Sequence, residues 1–500
     1  MLSLYDPSEQ ADEQILGTDM DELRAGLSAL QQRLRAKGIP VVIVFEGFGA
    51  SGKGVAISEL IQGLDPRGYK VHTIRAENAE ERRYPPMRRY WQKTPGNGQI
   101  AIFDRSWYRD VSTACMENSA ALDKRKEGYA RIARFERLLF DGGTVIIKLF
   151  LLISKKEQKK RLKALEEDKA TRWRVTEDDW QQNKRYDEYY ELLDHMLEAC
   201  DFDFAPWFVI PAGDKKSTAR RVYSVVLKRL GEAVARAEEG VSPQRQFAPL
   251  FGPEPTRPIA SLKQVDLSVC CEGDYRDRLK KAQKRLSTLH AMVYREKVPV
   301  ILAFEGWDAA GKGGAIRRLT SALDPRGFQV NPTSAPSPEE KSHNYLWRFW
   351  NNVPRDGHIA IFDRTWYGRV MVERVEKLTP EEDWQRAYGE MNRFERELYD
   401  WGAVILKFWL HIDADEQLRR FQNRQNTPGK QWKITDEDWR NREKWPLYEQ
   451  AVDEMLQKTN TEWAPWIVVE SNDKRYARLK VIECVIRALE RHMKKNGDWD

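Results

Sequence analysis

The strongest constraint on the fold of this chain is an internal repeat with a constant offset. The first copy contains EGFGASGKG from Glu46 to Gly54, and the second contains EGWDAAGKG from Glu305 to Gly313, 259 residues later. The same offset recurs at the LDPRG, IAIFDR, RFER and APW segments. Because a constant offset leaves little room for insertions, the 500 residues predict two duplicated domains, each large enough for its own core. Each position can therefore be compared with its twin.

Composition places few limits on the partners of the chain. The net charge of +6 does not by itself predict binding to nucleic acid or to an anionic membrane. The five cysteines include no CxxC pair, so we expect reduced thiols and no structural metal site. The acidic N-terminal segment lacks the apolar core of a signal peptide, and no apolar run approaches the roughly 20 residues of a membrane span. We therefore expect a soluble, cytoplasmic protein.

Apolar runs alternate with helical patterns in both copies. The runs VVIVFE and VILAFE before the Gly-rich segments are typical of parallel strands that are buried on both faces. Amphipathic helices are predicted just before them, at about 21–36 and 274–295. This order of elements predicts three-layer α/β/α domains with parallel sheets. We expect domains at 1–239 and 262–500, joined by a linker at 240–261 that contains five prolines.

The Gly-rich segments match GxxxxGK, which forms a phosphate-binding loop when it lies between a strand and a helix. The glycines let backbone N–H groups turn toward phosphate oxygens, and the lysine, Lys53 or Lys312, reaches the terminal phosphates. The Ser or Thr that usually follows and ligates Mg²⁺ is glycine in both copies, so Asp308 is the candidate substitute. The candidate phosphate-binding glycines of the second copy are Gly306, Gly311 and Gly313.

A carboxylate follows at the end of the buried strand IAIFD. Asp104 or Asp363 could hold Mg²⁺ there, directly or through water. The next residue, Arg105 or Arg364, offers the donors that suit a phosphoryl oxygen. A structural Asp–Arg ion pair is the alternative interpretation.

The two copies differ at charged positions, and the differences favour the second copy as the catalytic one. Asp308 corresponds to Gly49. Arg369 and Glu373 are four residues apart, so on one helix they would share a face beyond Asp363. A surface ion pair is the alternative. The group Arg369, Glu373 and Arg374 corresponds to Asp110, Ala114 and Cys115.

A basic segment further along the second copy is predicted to act as a lid over phosphates. The segment 417–434 has no acidic residue, whereas Glu166, Glu167 and Asp168 interrupt its counterpart in the first copy. A solvated helix face is the alternative for any single residue. The basic residues of the lid are Arg419, Arg420, Arg424, Lys430 and Lys433.

In this combination of motifs the chain resembles the polyphosphate kinase 2 family, in particular its tandem two-domain members. The segments that carry the resemblance include EGWDAAGKGGAI, IAIFDRTWYGRVMVERVE, NRFERELYDWGAVILKFWLHI and PGKQWKITDEDW. The resemblance implies a thymidylate-kinase-like P-loop fold with helical lids. It also implies inorganic polyphosphate as the phosphoryl donor, AMP as the acceptor, and Mg²⁺ or Mn²⁺ as the metal.

The resemblance assigns roles to residues of the second copy. It implies that Asp308 and Asp363 are catalytic, metal-linked carboxylates. From the difference between the two copies we also expect Glu373 and Arg374 at the substrate site. Asp308 would orient or deprotonate the acceptor phosphate, or hold the metal. The cations that would neutralise phosphates are Lys312, Arg364, Arg369, Arg420, Arg424, Lys430 and Lys433.

We therefore expect polyphosphate-driven conversion of AMP to ADP in the second domain. The first domain is expected to be a non-catalytic partner in an intramolecular pseudo-dimer, and a homo-oligomer remains open. An ATP-dependent nucleotide kinase of the same fold is the nearest competing function, although GKG in place of GK[ST] counts against it. A polyphosphate kinase acting on nucleoside diphosphates and a non-catalytic regulator are also considered. A nucleic-acid-binding protein is disfavoured, since no motif of that class is present.

Overall fold

The computed structural model describes residues 1–11, 13–117, 122–241, 250–429 and 431–495. The chain divides into two compact units. The first contains Met1–Glu77, Arg89–Phe251 and Pro338–Asn344. The second contains Asn78–Arg88, Gly252–Ser337 and Tyr345–Asp500. The units follow the sequence repeat, except that one short segment of each copy belongs to the other unit, which the repeat did not predict.

Each unit is built on a parallel sheet, and the described residues give each sheet five strands in equivalent orders. The first sheet has the order β2-β3-β1-β4-β5, with β1 (Val41–Gly47), β2 (Tyr69–Thr73), β3 (Ile100–Asp104), β4 (Val145–Leu152) and β5 (Trp207–Pro211). The second has the order β7-β8-β6-β9-β10, with β6 (Val300–Gly306), β7 (Phe328–Pro332), β8 (Ile359–Asp363), β9 (Val404–His411) and β10 (Trp466–Glu470).

The helices cover these sheets on both faces, since the central strands β1 and β6 each have six successive buried residues. The first half of the chain has α1 (Glu13–Gly17), α2 (Met20–Lys37), α3 (Lys53–Leu60), α4 (Arg88–Trp91), α5 (Tyr108–Glu117), α6 (Leu122–Asp141), α7 (Lys155–Glu167), α8 (Glu177–Lys184), α9 (Tyr186–Ala199) and α10 (Lys215–Glu238). The second half has α11 (Tyr275–Arg295), α12 (Lys312–Thr320), α13 (Pro338–Ser342), α14 (Trp347–Asn351), α15 (Val372–Val375), α16 (Glu381–Asp400), α17 (Ala414–Gln425), α18 (Asp436–Glu443), α19 (Trp445–Thr459) and α20 (Lys474–Lys495).

The architecture confirms the predicted fold class. The two amphipathic helices expected before the central strands are α2 and α11, and an aspartate caps each N-terminus. The Asp19 side chain accepts a hydrogen bond from the Asp21 N–H, and Asp274 accepts from the N–H groups of Arg276 and Asp277. Over the described part of the chain, no helix is both long enough and apolar enough to cross a membrane.

Strand register brings the predicted site residues to one edge of the second sheet. The central strand β6 lies between β8 and β9. Phe304 pairs with Asp363 at the end of β8, and Gly306, the last residue of β6, pairs with Leu410. Because all the strands run in the same direction, Asp363 and the loop after Gly306 lie together at the carboxyl edge, where α/β sheets bind ligands.

A fully buried ion pair lies beneath this edge. Lys407 of β9 donates to Glu395 of α16 over 2.7 Å, to the Tyr367 hydroxyl over 2.7 Å and to the Thr459 carbonyl over 2.7 Å. Glu395 in turn accepts from the Tyr367 hydroxyl over 2.6 Å and from the Trp366 indole over 3.0 Å. The pair therefore fixes the segment that directly follows Arg364.

The first unit repeats the ion pair at the equivalent positions. Lys148 donates to Glu136 over 2.9 Å, and Tyr108 donates to the same carboxylate over 2.6 Å. Burial lowers the pKa of Lys407 to about 8 and raises the pKa of Glu395, so both groups depend on each other and on their hydrogen bonds to stay charged. Since both units keep the pair, we infer that it belongs to the scaffold.

Removing one partner of the pair should destabilise the second unit strongly. Lys407→Met leaves the Glu395 carboxylate buried without a cation, which costs about 3–5 kcal/mol of unfolding free energy. The double variant Lys407→Met/Glu395→Gln should regain part of this loss, because no unpaired charge remains. Urea unfolding of the two variants measures the difference, and a loss below about 1 kcal/mol in the single variant would contradict a scaffold role.

Candidate active site

The phosphate-binding loop of the second unit has the predicted strand–loop–helix geometry. Gly306 ends β6 with φ of +151°, and a Cβ there would lie 2.6 Å from the Leu410 carbonyl oxygen, so only glycine fits. Gly311 is the N-cap of α12, with φ of +112°. The helix begins at Lys312, whose ammonium donates to the Gly306 carbonyl over 2.6 Å. The loop amides and Lys312 thus lie at the positive end of a helix.

A cleft of about 580 Å³ opens above this loop. Predicted residues that line it are Asp308, Gly311, Lys312, Gly313, Asp363, Arg364 and Arg424. The sequence analysis missed other residues of its wall, among them Trp307, Trp432, Thr435, Glu437, Asp438 and Asn441. Lys430 lies outside the described residues, and the side chain of Lys433 is not among those described. The cleft is therefore formed by the loop, the end of β8 and the segment from α17 to α18.

Asp308 is held at the centre of this cleft by two elements. One carboxylate oxygen accepts a hydrogen bond from the Asn441 side chain of α18 over 3.0 Å, and the other lies 3.5 Å from the Arg364 guanidinium. Burial acts to lower the pKa of Arg364, but the combined attraction to nearby carboxylates outweighs it and raises the pKa above its ordinary value; these are Asp308, Glu305, Glu437 and Asp363. Asp308 therefore links the loop, α18 and the arginine after β8. The lid thus extends from α17 to α18, and its counterpart in the first unit extends from α7 to α8.

Glu305 joins the base of the loop to the segment after Arg364. Its carboxylate accepts from the Thr365 backbone N–H over 2.7 Å and from the Thr365 hydroxyl over 2.8 Å. Burial raises the pKa of Glu305, and attraction to Lys312 partly offsets that effect. Arg364 adopts φ of +65°, a strained conformation that these contacts and the buried ion pair hold in place.

Arg420 lies beneath the loop rather than in the cleft. Its side chain is 3% exposed, and its five N–H groups donate to Glu416 and to four backbone carbonyls. Two of these carbonyls, those of Ala309 and Ala310, belong to the phosphate-binding loop, each at 2.9 Å. In this arrangement Arg420 supports the loop from below, which differs from the phosphate contact expected from the sequence.

The residues after Arg364 also differ from the expectation. Arg369 ends a short 3₁₀-helix, Trp366–Arg369, whereas Glu373 lies in α15, so the two are not on one helix. The pair still forms, with 2.5 Å between guanidinium and carboxylate. Arg374 donates to Glu454 over 2.6 Å and does not line the cleft, nor do Arg369 and Glu373. Their role in substrate binding stays a prediction.

An aromatic stack connects the loop to α19. The Trp307 ring lies 3.7 Å from the Trp445 ring at an interplanar angle of 12°. The Trp307 indole N–H donates to Nδ1 of His411 over 3.0 Å, so His411 must be neutral at that nitrogen. Burial lowers the pKa of His411 to about 4. The first unit keeps the stack as Phe48 on Tyr186 but has no counterpart of the histidine.

The first unit fills the space that Asp308 occupies in the second. The Gly49 N–H donates to the side-chain oxygen of Gln182, the counterpart of Asn441, over 2.7 Å. A Cβ at Gly49 would lie 2.5 Å from a carboxylate oxygen of Asp179, so an aspartate does not fit there unless the lid moves. The loss of the carboxylate in the first copy is thus accompanied by a lid that contacts the loop directly.

Comparison of the two copies offers a signal that separates the roles of two predicted arginines. Arg420 has an arginine counterpart, Arg161, which makes the same set of contacts to its own loop. Arg424, which lines the cleft, corresponds to Leu165. The arginine shared by both copies is therefore consistent with the structural role of Arg420, whereas Arg424 is present only in the second copy. Nothing in the sequence indicated that Asn441 contacts Asp308.

Replacing Arg420 should reduce stability more than replacing Arg424. Arg420→Gln leaves buried loop carbonyls without donors, and we expect a loss of at least about 2 kcal/mol in urea unfolding. Arg161→Gln is the matched variant in the first unit and should behave alike. Arg424→Gln should cost less than about 1 kcal/mol, since this side chain is only half-buried at the cleft. Equal losses for Arg420 and Arg424 would contradict this assignment.

Stability of the second unit should fall as the pH drops, in part because of His411. Between pH of about 6.5 and about 4 the unfolded chain protonates this histidine while the folded chain keeps it neutral. The contribution of His411 to stability is therefore complete above a pH of about 6.5 and is lost as the pH falls toward 4. The loss is at most about 3 kcal/mol, since each pKa unit corresponds to about 1.36 kcal/mol. His411→Gln keeps an acceptor for Trp307 and should flatten this dependence. Urea midpoints at pH 7 and 5 measure it, and parallel profiles would contradict the assignment.

Known proteins match the chain over nearly its whole length. The sequence model of the Polyphosphate kinase 2 (PPK2) family matches residues 10–238 and 270–497. A polyphosphate:AMP phosphotransferase of Pseudomonas aeruginosa is 40% identical over 477 residues, covering 95% of this chain and 96% of that protein. Another, of Pseudomonas syringae pv. tomato, is 40% identical over 485 residues, with 95% and 96% coverage.

The fold gives the same result. A crystal structure described as polyphosphate kinase 2 from Pseudomonas aeruginosa PA01 superposes with a TM-score of 0.86 at 37% identity. The superposition covers 99% of this chain and 100% of that one. Both units are thus covered by the model and by a solved structure of one family. The chain therefore belongs to the polyphosphate kinase 2 family, as its motifs predicted.

Proposed function

We propose that this chain is a polyphosphate:AMP phosphotransferase, which transfers the terminal phosphoryl group of inorganic polyphosphate to AMP and releases ADP. As a member of its family the chain is a phosphotransferase. Relatives that match 95% of its length carry the name of this reaction. The observation that carries the proposal is the cleft of the second unit, where Asp308, Asp363 and Arg364 meet a phosphate-binding loop.

The residues of this cleft supply what phosphoryl transfer requires. The chemistry depends on positioning the phosphates and neutralising their charge, with little covalent work for the protein. Loop amides and Lys312 would bind the transferred phosphoryl group, while Arg364 and Arg424 neutralise charge from the other walls. Asp308 would orient or deprotonate the acceptor phosphate, or hold the metal. Lys430 and Lys433 would close the lid over the bound phosphates.

The cleft fits a Mg²⁺ ion that shares its coordination with the substrate. In the described residues no group of three or more His, Cys, Asp or Glu side chains could hold a metal by itself. Asp308 and Asp363 line one cleft, and Mg²⁺ is usually bound through one or two carboxylates together with substrate phosphates. Bound there, Mg²⁺ would neutralise phosphate charge and order the polyphosphate for in-line attack.

The first unit is proposed to be non-catalytic. It lacks a counterpart of Asp308, and its lid side chain Gln182 contacts the loop at that position. Arg369 and Glu373 are likewise replaced, by Asp110 and Ala114. We also propose a cytoplasmic location for the enzyme.

The decisive experiment is ADP formation from AMP, long-chain polyphosphate and Mg²⁺ without ATP. Asp308→Asn should lower turnover by at least about 100-fold, because it removes a carboxylate that contacts the reacting groups or their metal. Asp363→Asn should have a similar effect. Asp104→Asn, the matched substitution in the first unit, should retain turnover, since that unit is non-catalytic.

Each competing function has its own outcome in this assay. Turnover that appears only when ATP replaces polyphosphate would make the chain an ordinary nucleotide kinase. Turnover with ADP but not with AMP as the acceptor would indicate a kinase of nucleoside diphosphates. If Asp104→Asn abolished activity as fully as Asp363→Asn does, catalysis could not be assigned to the second unit alone.

A further inference from the structure

The first unit contains a larger cleft than the second, about 1340 Å³, above its own phosphate-binding loop. Several cations line it, and three of them are close enough to interact, namely Lys53 of the loop, Arg105 after β3 and Arg109 at the start of α5. We call them the cationic cluster. The proposed reaction gives this cleft no task, since the catalytic carboxylate of the loop is absent.

The cationic cluster has lost the carboxylate that balances its counterpart. In the second unit Asp308 lies 3.5 Å from the Arg364 guanidinium. In the first unit Gly49 replaces Asp308, and within the described residues the Arg105 side chain makes neither an ion pair nor a hydrogen bond. Arg109 donates to the Ile74 carbonyl over 3.3 Å and likewise forms no ion pair there. Two guanidinium groups thus face an open cleft without a carboxylate partner.

The cluster members also repel one another. Burial lowers the pKa of Lys53 to about 8, and repulsion from Arg105 adds to this effect. Burial lowers the pKa of Arg109 as well, again with a contribution from Arg105. Asp104 and Glu46 attract Lys53, but their attraction does not offset burial and repulsion, since the pKa of Lys53 stays low. Such a cluster is relieved by an anion bound among its members.

Two arginines that line this cleft have no cationic counterpart in the second copy. Arg75 and Arg109 both line it, and their counterparts in the second copy are Ser334 and Gly368. Acidic side chains line this cleft as well, three of them on the lid and three on β1, α3 and β3, namely Asp168, Asp178, Asp179, Glu46, Glu59 and Asp104. Asp179 accepts hydrogen bonds from the backbone and hydroxyl of Thr176, so it is engaged at the start of α8.

We propose that the first unit is a non-catalytic, metal-independent binding site for a phosphoanhydride chain. Arginine side chains would supply the neutralisation that a metal ion held by Asp308 would provide in the second unit. The Gly49 N–H already donates to Gln182, so this loop amide would not bind the ligand. The phosphoanhydride ligand would instead be bound by Arg75, Arg105 and Arg109. Inorganic polyphosphate and the phosphates of a nucleotide share this chemistry.

The test is titration calorimetry of sodium tripolyphosphate into the full-length Lys312→Ala variant, with EDTA present and without AMP. The Lys312→Ala change weakens the second unit, so we expect one remaining site per chain. Arg105→Gln and Arg109→Gln should each weaken its affinity by about tenfold, the loss expected for one charge-assisted hydrogen bond. Lys228→Gln removes an exposed cation outside this cleft and should change affinity by less than about twofold.

Two further arms identify the ligand and protect the test against misfolding. Displacement of tripolyphosphate by ADP at similar concentrations would indicate that nucleotides also occupy the site, and no displacement would indicate inorganic chains. Thermal unfolding of both arginine variants checks that the first unit is folded. Binding that requires Mg²⁺, or that Arg105→Gln and Arg109→Gln leave unchanged in folded protein, would overturn the proposal. Because no turnover is measured, this result is independent of the proposed reaction.

Discussion

The buried contact between Lys407 and Glu395 is the constraint on which the candidate site depends. It joins β9, α16 and the end of α19, and through Trp366 and Tyr367 it fixes the backbone just after Arg364. Burying two charges is unfavourable unless their remaining donors and acceptors are bonded, and here each group has several partners. An arginine with positive φ can then be held toward the cleft without support from the ligand.

The same scaffold carries two different charge distributions. Lys148 and Glu136 form the equivalent pair in the first unit, so loss of the loop carboxylate leaves this framework intact. In the second unit Asp308 balances Arg364 and also accepts from the lid at Asn441. In the first unit the lid contacts the loop backbone instead, and the arginine remains unbalanced. The exchange of Asp308 for Gly49 therefore changes the electrostatics of the cleft, and together with the exchange of Asn441 for Gln182 it changes the contact between lid and loop.

Strands, loops and the order of elements were predictable because hydrophobic runs and glycine patterns act locally. The phosphate-binding loop needs glycine at Gly306 because a Cβ there would collide with Leu410 of the neighbouring strand. The same collision is expected wherever two strands pair in this way. The side-chain roles were less predictable. Arg420 and Arg424 are both arginines on α17, four residues apart, yet one is buried under the loop and the other lines the cleft. Spacing along a helix does not reveal what covers each side chain, and the Asn441–Asp308 contact joins segments 133 residues apart.

Duplication separates polar side chains that support the scaffold from polar side chains that the scaffold does not use, more sharply than a single sequence could. Groups that both copies keep and that are fully bonded within the protein, such as Arg420 with Arg161, are explained by the scaffold. Arg105 is different, because it is kept without its carboxylate and has no bonded partner in the described residues. Arg105 has a strained backbone conformation and lies beside Lys53 and Arg109. Folding alone does not explain why a cation is placed there. Its presence is explained if the first unit binds an anion.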